Sequence, residues 1–164
     1  VDEANIERRI PMTSSSLSAS ADLEGRCNCF AVRKAARYLT ATYDAALVSV
    51  DLRATQFTLL QKLKSRGPET IGQLADVMAM DRTTLAANLK PLERDGLVHT
   101  ALSASDRRAK VVSLTKRGAE RFDQALPLWE SAQARFEEAY GATRAASLRE
   151  LAGAVPDTQP NPWA

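Results

Sequence analysis

One stretch limits the fold more than any other: LVHTALSASDRRAKVVSL, residues 97–114, two short extended runs around a polar loop. The other apolar residues recur mostly at helical spacing, so the chain reads as a helical protein that carries one hairpin. Ser103, Ser105, Asp106, Arg107 and Arg108 fall in the loop, which puts two adjacent arginines at the hairpin tip. Such a tip is either a solvated turn or a wing that touches a polyanion.

The helices around the hairpin are punctuated by caps and stops. The first is expected over about 25–48, with Ala31, Ala35, Tyr38, Leu39, Thr42 and Ala46 on one face. A second, about 54–64, would bury Phe57, Leu60 and Leu63 and stop at Gly67-Pro68. Thr70 and Gln73 have capping-box spacing ahead of an apolar stripe of Ile71, Leu74 and Met78. Asp81 is placed to cap the next helix, which ends at Gly96. After the hairpin a long helix is expected over about 116–140, with Phe122, Leu126, Trp129 and Phe136 as its larger apolar groups and a kink at Pro127. A short helix, about 142–154, carries Leu148 and Leu151. Residues 1–22 are polar and Ser-rich and read as a flexible arm, with Met12 a candidate natural start; residues 155–164 read as a loose tail.

A length of 164 residues with 45% hydrophobic content suits one domain with its own core. The net charge of +2 names no partner, but its distribution does more. Residues 81–117 hold eight Lys or Arg against four Asp or Glu, a net of +4, which leaves −2 for the rest. A basic segment on a slightly acidic body is what a nucleic-acid contact requires. No apolar run is long enough to span a membrane and no signal-peptide pattern is present, so a cytoplasmic protein is expected. His99 is the only histidine and has no readable partner, and neither Ser/His/Asp chemistry nor a His-rich metal site can be assembled. Both phosphate-binding glycine motifs are absent. The expectation is a protein that is not an enzyme and needs neither metal nor cofactor.

On a helical wheel the segment DRTTLAANLKPLERDG, residues 81–96, separates into two faces. Leu85, Leu89 and Leu92 fall together on one side; Arg82, Thr83, Ala86, Ala87, Lys90 and Arg94 fall on the other. These six are small residues, a hydroxyl and three cations, with no carboxylate among them. Small side chains let a helix backbone approach a groove, and cations meet phosphates or guanine edges. An ordinary solvated helix face is the bland alternative. The order decides between them: a capped short helix, a tight turn at Met80-Asp81, a basic outward helix and a hairpin with arginines at its tip make a winged helix-turn-helix. In that arrangement the second helix enters the major groove. Arg107 and Arg108 then reach the neighbouring backbone or minor groove, and Asp106 shapes the turn.

DRRAKVVSLTKRG, residues 106–118, resembles the signature of MarR-family transcriptional regulators, in which D-x-R is followed by an apolar strand and L-T-x-x-G. The matching positions are Asp106, Arg108, Leu114, Thr115 and Gly118. LERDGLV (92–98), QFTLLQKL and TIGQLADVM extend the resemblance to about residues 27–154. It implies a mostly α fold with a small β-hairpin wing, in which a winged helix-turn-helix lobe at about 54–117 joins a helical dimerisation region at about 25–48 and 116–154 in one domain, 23–154. It also implies a homodimer on a pseudo-palindromic double-stranded DNA operator, acting as a repressor released by a small effector held between the dimer region and each lobe. An aromatic ligand is the default expectation, with Tyr38, Tyr43, Phe57 and Trp129 as wall residues or plain core. Ala86 and Ala87 depart from the family pattern, which often has Thr and Arg there, and make a poorer base-reading set.

Two alternatives accompany that reading. One is a helical effector-binding and dimerisation module that never touches DNA. The other is redox control through Cys27 and Cys29, since some members of the family sense peroxide with an N-terminal cysteine. Two residues apart on a helix, the sulfurs would point about 200° apart. Cys29 shares a face with Arg26 and Arg33 near a helix start, surroundings that favour a thiolate, so it is ranked first and Cys27 is read as a packing residue.

Overall fold

The computed structural model describes residues 25–103, 106, 108–158 and 160–162; the expected arm at 1–22, Ser105 and Arg107 lie outside them. The chain divides into two compact units, one ending at Leu39 and the other beginning at Thr40. In chain order the elements are α1 (Asn28–Leu47), α2 (Ala54–Arg66), β1 (Glu69–Thr70), α3 (Ile71–Val77), α4 (Arg82–Arg94), β2 (Val98–Leu102), β3 (Lys110–Leu114), α5 (Lys116–Tyr140) and α6 (Ala142–Ala154). Single 3₁₀ turns follow α1 at Val48–Val50 and α6 at Val155–Thr158.

In the first unit Ala31, Ala35 and Tyr38, half of the face expected for the first helix, are exposed, as are Phe30 and Val32. The second unit has a closed core. Leu47, Phe57, Leu60, Leu63, Leu74, Leu85, Leu89, Leu92, Leu97 and Val112 are all buried in one cluster, so α2, α3, α4 and the sheet each turn an apolar side inward. On α6 the buried residue is Ala145, while Leu151 is exposed. Both internal prolines, Pro91 in α4 and Pro127 in α5, lie within unbroken helices.

Side chains start the helices as their sequence positions require. Thr70 Oγ1 accepts the Gln73 N–H at 3.2 Å, and Gln73 Oε1 accepts the Thr70 N–H at 3.0 Å, a reciprocal box at the head of α3. Asp44 on α1 accepts the Ala54 N–H at 2.7 Å, so the first helix caps the second. The tight turn between α3 and α4 places Ala79 at φ 49°, a left-handed conformation.

The sheet has three antiparallel strands in the order β1-β3-β2, one more than the hairpin expected. β2 and β3 pair from Val98↔Leu114 to Leu102↔Lys110, and β1 adds Glu69↔Val112 and Thr70↔Val111. A two-residue strand is too short to leave a period in the sequence. Its first residue, Glu69, is buried, and its carboxylate accepts Arg66 Nε at 2.7 Å.

The wing is tied to α5 at one junction. Thr115 Oγ1 donates to the Gly96 carbonyl at 2.8 Å, accepts the Gly118 N–H at 2.9 Å, and so caps α5 while holding the end of the α4–β2 turn. The Thr115 N–H also donates to Leu97 O at 3.1 Å. Gly118 sits so close to that turn that a Cβ there would lie 2.0 Å from Leu97 O. The L-T-x-x-G pattern is therefore a cap and a close backbone approach, both required by the way helix meets wing.

Candidate nucleic-acid interface

Helix α4 presents the outward face expected of it. Leu85, Leu89 and Leu92 are buried; Arg82, Thr83, Ala87, Lys90 and Arg94 are exposed, and Ala86 is half-buried. Asp81 fixes the start of the helix. Its Oδ1 accepts the Thr84 N–H at 2.8 Å and its Oδ2 accepts Thr84 Oγ1 at 2.6 Å, and these hydrogen bonds hold the carboxyl below the usual carboxylate range. Asn88 folds back along the helix, donating from Nδ2 to Thr84 O at 2.9 Å.

At the N-terminal end of α4 the cations gather. The Arg82 guanidinium lies over Gly72, 3.5–3.8 Å from where a Cβ would stand. With Thr70, Gly72, Asp106, Arg108 and Lys110 it lines a groove of about 480 Å³ between the head of α3 and the wing. Asp106 shapes the turn as expected: its Oδ1 accepts the Arg108 N–H at 2.9 Å, and its carbonyl accepts the Ala109 N–H at 2.9 Å. Arg108 is exposed. None of Arg82, Arg108 and Lys110 makes an ion pair among the described residues. A second groove of about 340 Å³ separates α4 from the sheet, with Ala86, Leu89, Lys90, Glu93, Leu102 and Lys110 on its walls. Glu93 therefore stands beside Lys90, and this side of the helix is less purely cationic than the six-residue face implied. Its wheel position lies between Arg82 and Ala86, which was enough to find it.

The C-terminal end differs. Arg94 donates from Nε to Asp95 Oδ1 at 2.9 Å and from Nη2 to Asp95 Oδ2 at 3.4 Å. This pairing, with Asp51 adding to it, raises the arginine further and lowers the Asp95 carboxyl. The small cleft there also takes in Asp44, Asp51, Arg53 and Gln56. The structure thus brings Arg82, Arg108 and Asp106 together, adds Lys110, and sets Arg94 apart among carboxylates. Lys110 escaped the sequence reading because nothing in a strand's first residue says which loop or helix it will face.

Three of the four expected effector-wall residues meet one another. Phe57 and Trp129 stack at 5.7 Å between centroids, Tyr43 and Trp129 at 6.1 Å, and Phe57 and Phe122 at 5.1 Å. The four rings thus stack in a row, Tyr43 on Trp129, Trp129 on Phe57 and Phe57 on Phe122. Tyr38, the fourth, belongs to the first unit and is 72% exposed. The Tyr43 hydroxyl donates to Gln133 Oε1; Gln133 Nε2 and Arg149 Nη1 both donate to Glu137 Oε1 at 2.7 Å. Burial, with the Glu137 charge adding, raises the Tyr43 hydroxyl above the usual phenol range, while the bonds from Gln133 and Arg149 lower Glu137.

Both cysteines are exposed and unbridged. Cys27 precedes the first residue of α1, and its Sγ accepts the Phe30 N–H at 3.4 Å. Helical spacing therefore does not govern the pair, and Cys27 occupies the capping position. Among the described residues no group of three His, Cys, Asp or Glu could hold a metal ion, and no helix is long and apolar enough to cross a membrane.

The MarR family model matches residues 52–110, from two residues before α2 to the first residue of β3. The chain is 30% identical over 96 residues to the HTH-type transcriptional repressor NicR of Pseudomonas putida, covering 58% of this chain and 61% of that one. It is 29% identical over 91 residues to the organic hydroperoxide resistance transcriptional regulator of Bacillus subtilis, covering 56% and 62%. It spans about six-tenths of the length of each. Among solved structures it resembles the M. tuberculosis transcriptional regulator MosR in complex with DNA, with a TM-score of 0.67 and 36% identity over 79% of this chain and 98% of that one. With the capped helix pair, the wing and the Thr115–Gly118 junction in place, these matches mean that the chain belongs to the MarR family.

Proposed function

We propose that this chain is a sequence-specific DNA-binding regulator of transcription, a repressor that works as a homodimer on a pseudo-palindromic duplex in the cytoplasm. The observation that carries the reading is the groove at the N-terminal end of α4, where Arg82, Arg108 and Lys110 converge without ion-pair partners among the described residues. Three cations beside an outward helix with small side chains suit a duplex: α4 enters the major groove while the wing lies along the adjacent backbone. The MosR structure, a complex with DNA, supports the same partner. Exposed apolar side chains on α1 (Phe30, Val32, Tyr38) and, in the other unit, on α6 (Leu151) supply surface that a second copy would cover. Release comes from a small, aromatic effector, and the stacked Tyr43, Trp129 and Phe57 rings would have to part to admit one.

Titration of labelled duplex from a genomic-fragment selection, repeated across salt concentrations, tests this. If each lobe of a dimer neutralises about three phosphates, the log–log slope lies near −5, from roughly −0.9 per phosphate. A flat salt response, or a monomer at micromolar concentration, overturns the reading and leaves an effector-binding helical module.

A second reading, redox control, is favoured by the exposed Cys27 sulfur at the head of α1. Peroxide would then release the parent from its duplex. Cys27→Ser should lose most of that release, since the Cys27 sulfur, and not that of Cys29, which its basic neighbours ranked first, accepts a backbone N–H at the head of α1. Release unchanged in Cys27→Ser but lost in Cys29→Ser restores the order read from the sequence, and a parent that peroxide never releases removes redox control.

A further inference from the structure

We propose that the outermost ridge of α4 reads thymine by its 5-methyl group, through the side-chain methyls of Thr83 and Ala87; this rests on the DNA-binding reading above. Leu85, Leu89 and Leu92 define the buried side of the helix. At 100° per residue, the direction opposite to them passes within roughly 15° of Ala87 and 30° of Thr83. The two residues are one turn apart, so their methyls line up along the crest that goes deepest into a groove.

The polar side chains that would otherwise read bases from this helix are engaged elsewhere. The Asn88 amide, the usual adenine reader, is folded back onto Thr84 O, and Thr84 Oγ1 is held by Asp81. Arg94, also outward, is taken by both oxygens of Asp95. Arg82 lies over Gly72 and faces the wing groove, and Lys90 lines the groove on the sheet side with Glu93. What remains at the crest is short: the Ala87 methyl, and Thr83 with a methyl beside its hydroxyl. The thymine methyl is the one apolar group on the major-groove edge of DNA, and Ala and the Thr methyl are suited to meet it.

The probe is a duplex selected by this protein from a random-sequence library, compared with the same duplex carrying deoxyuridine in place of half-site thymines. That exchange removes the 5-methyl alone and leaves every hydrogen-bonding group and the minor groove as they were. Parent protein should bind about fourfold more weakly for each methyl lost from contact. Ala87→Ser and Thr83→Ser, both at exposed positions, should each make binding indifferent to deoxyuridine at one half-site position, and the two positions should differ. A parent indifferent to deoxyuridine at every half-site thymine, while still binding the selected duplex in preference to others, overturns the proposal and leaves the DNA-binding reading standing. Sensitivity that survives undiminished in both variants also overturns it, because the methyls are then read from elsewhere. If no sequence is enriched and no duplex binds, the DNA-binding reading itself fails.

Discussion

Arg82 opens α4 and Arg94 closes it, and the two arginines, both exposed and both assigned to the outward face from the sequence, meet different surroundings. Arg82 stands over a glycine beside Arg108 and Lys110, in a groove where Asp106, the one carboxylate among its described lining residues, accepts a backbone N–H of the wing turn. Arg94 is bound by Asp95 and has Asp51 near. The end that carries Arg94 is also where backbone meets backbone, through Thr115, Leu97 and Gly118. One end of the helix is therefore a structural joint and the other an open cationic surface. An arginine's sequence position alone does not say what it can bind; the charges already satisfied around it do.

The largest effect should come from the joint. A methyl group added at Gly118 would lie 2.0 Å from Leu97 O and 2.8 Å from Leu114 Cδ1, and the first is backbone that cannot swing away. Gly118→Ala should therefore destabilise the lobe by about 3 kcal/mol, at the severe end of overpacking. A urea-midpoint comparison checks it. A variant that melts like the parent would mean that the turn after α4 yields freely, and the contrast between a fixed and an open end would go.

At the open end, Arg108→Ala should leave the urea midpoint unchanged, because the residue is exposed. Operator affinity should fall about tenfold and the salt slope should shallow by roughly 0.9 for each lobe that loses a phosphate contact. Unchanged affinity in a folded variant would remove the wing from the interface.

The helices, their caps and the inward leucines were legible because each depends on residues within a turn of one another: Thr70 with Gln73, Asp81 with Thr84, Leu85 with Leu89 and Leu92. The hairpin was legible for the same reason, and its third strand was not, since Glu69 and Thr70 pair with Val112 and Val111, some forty positions away. Site residues followed the same rule. Asp106 forms the turn expected from its neighbours, but the grouping of Arg82 with Lys110 depends on three-dimensional placement, and the capture of Arg94 by its sequence neighbour Asp95 depends on which rotamer wins. Tyr43, Phe57 and Trp129 were named from the sequence together with Tyr38, but the stacking of the first three joins three separate helices and leaves Tyr38 out, which no local period could report.

Arg94 sharpens the contrast from the opposite side. Arg94→Ala should change operator affinity less than about twofold, because its charge is already taken by a neighbouring carboxylate. Asp95→Ala is the informative partner. It should leave Arg94 able to meet a phosphate, tighten binding and steepen the salt slope, measured in the same titration as Arg108→Ala. If Arg94→Ala instead weakens binding as much as Arg108→Ala does, the Asp95 pair opens on the duplex and the two ends of the helix are equivalent.

The smallest effect concerns the cap that sets the start of the open end. Asp81 is half-buried, and its hydrogen bonds from Thr84 lower its carboxyl below the usual carboxylate range. A carboxylate depressed in the folded state contributes stability above the unfolded value, about 3.9 for an aspartate, and that contribution is lost as pH falls through the lower folded value. Acidification below about pH 4 should thus loosen the head of α4 before it touches the neutral cap of α3, where Thr70 does the same task without a charge. Asp81→Asn keeps an acceptor for the Thr84 N–H but does not titrate. Thermal melts of parent and variant between neutral and acid pH separate the two: the parent should lose stability more steeply with acid, and the curves should draw together at the lowest pH. Parallel curves would mean that Asp81 holds the helix by its hydrogen bonds alone, with the charge contributing nothing to the end of α4 on which Arg82 sits.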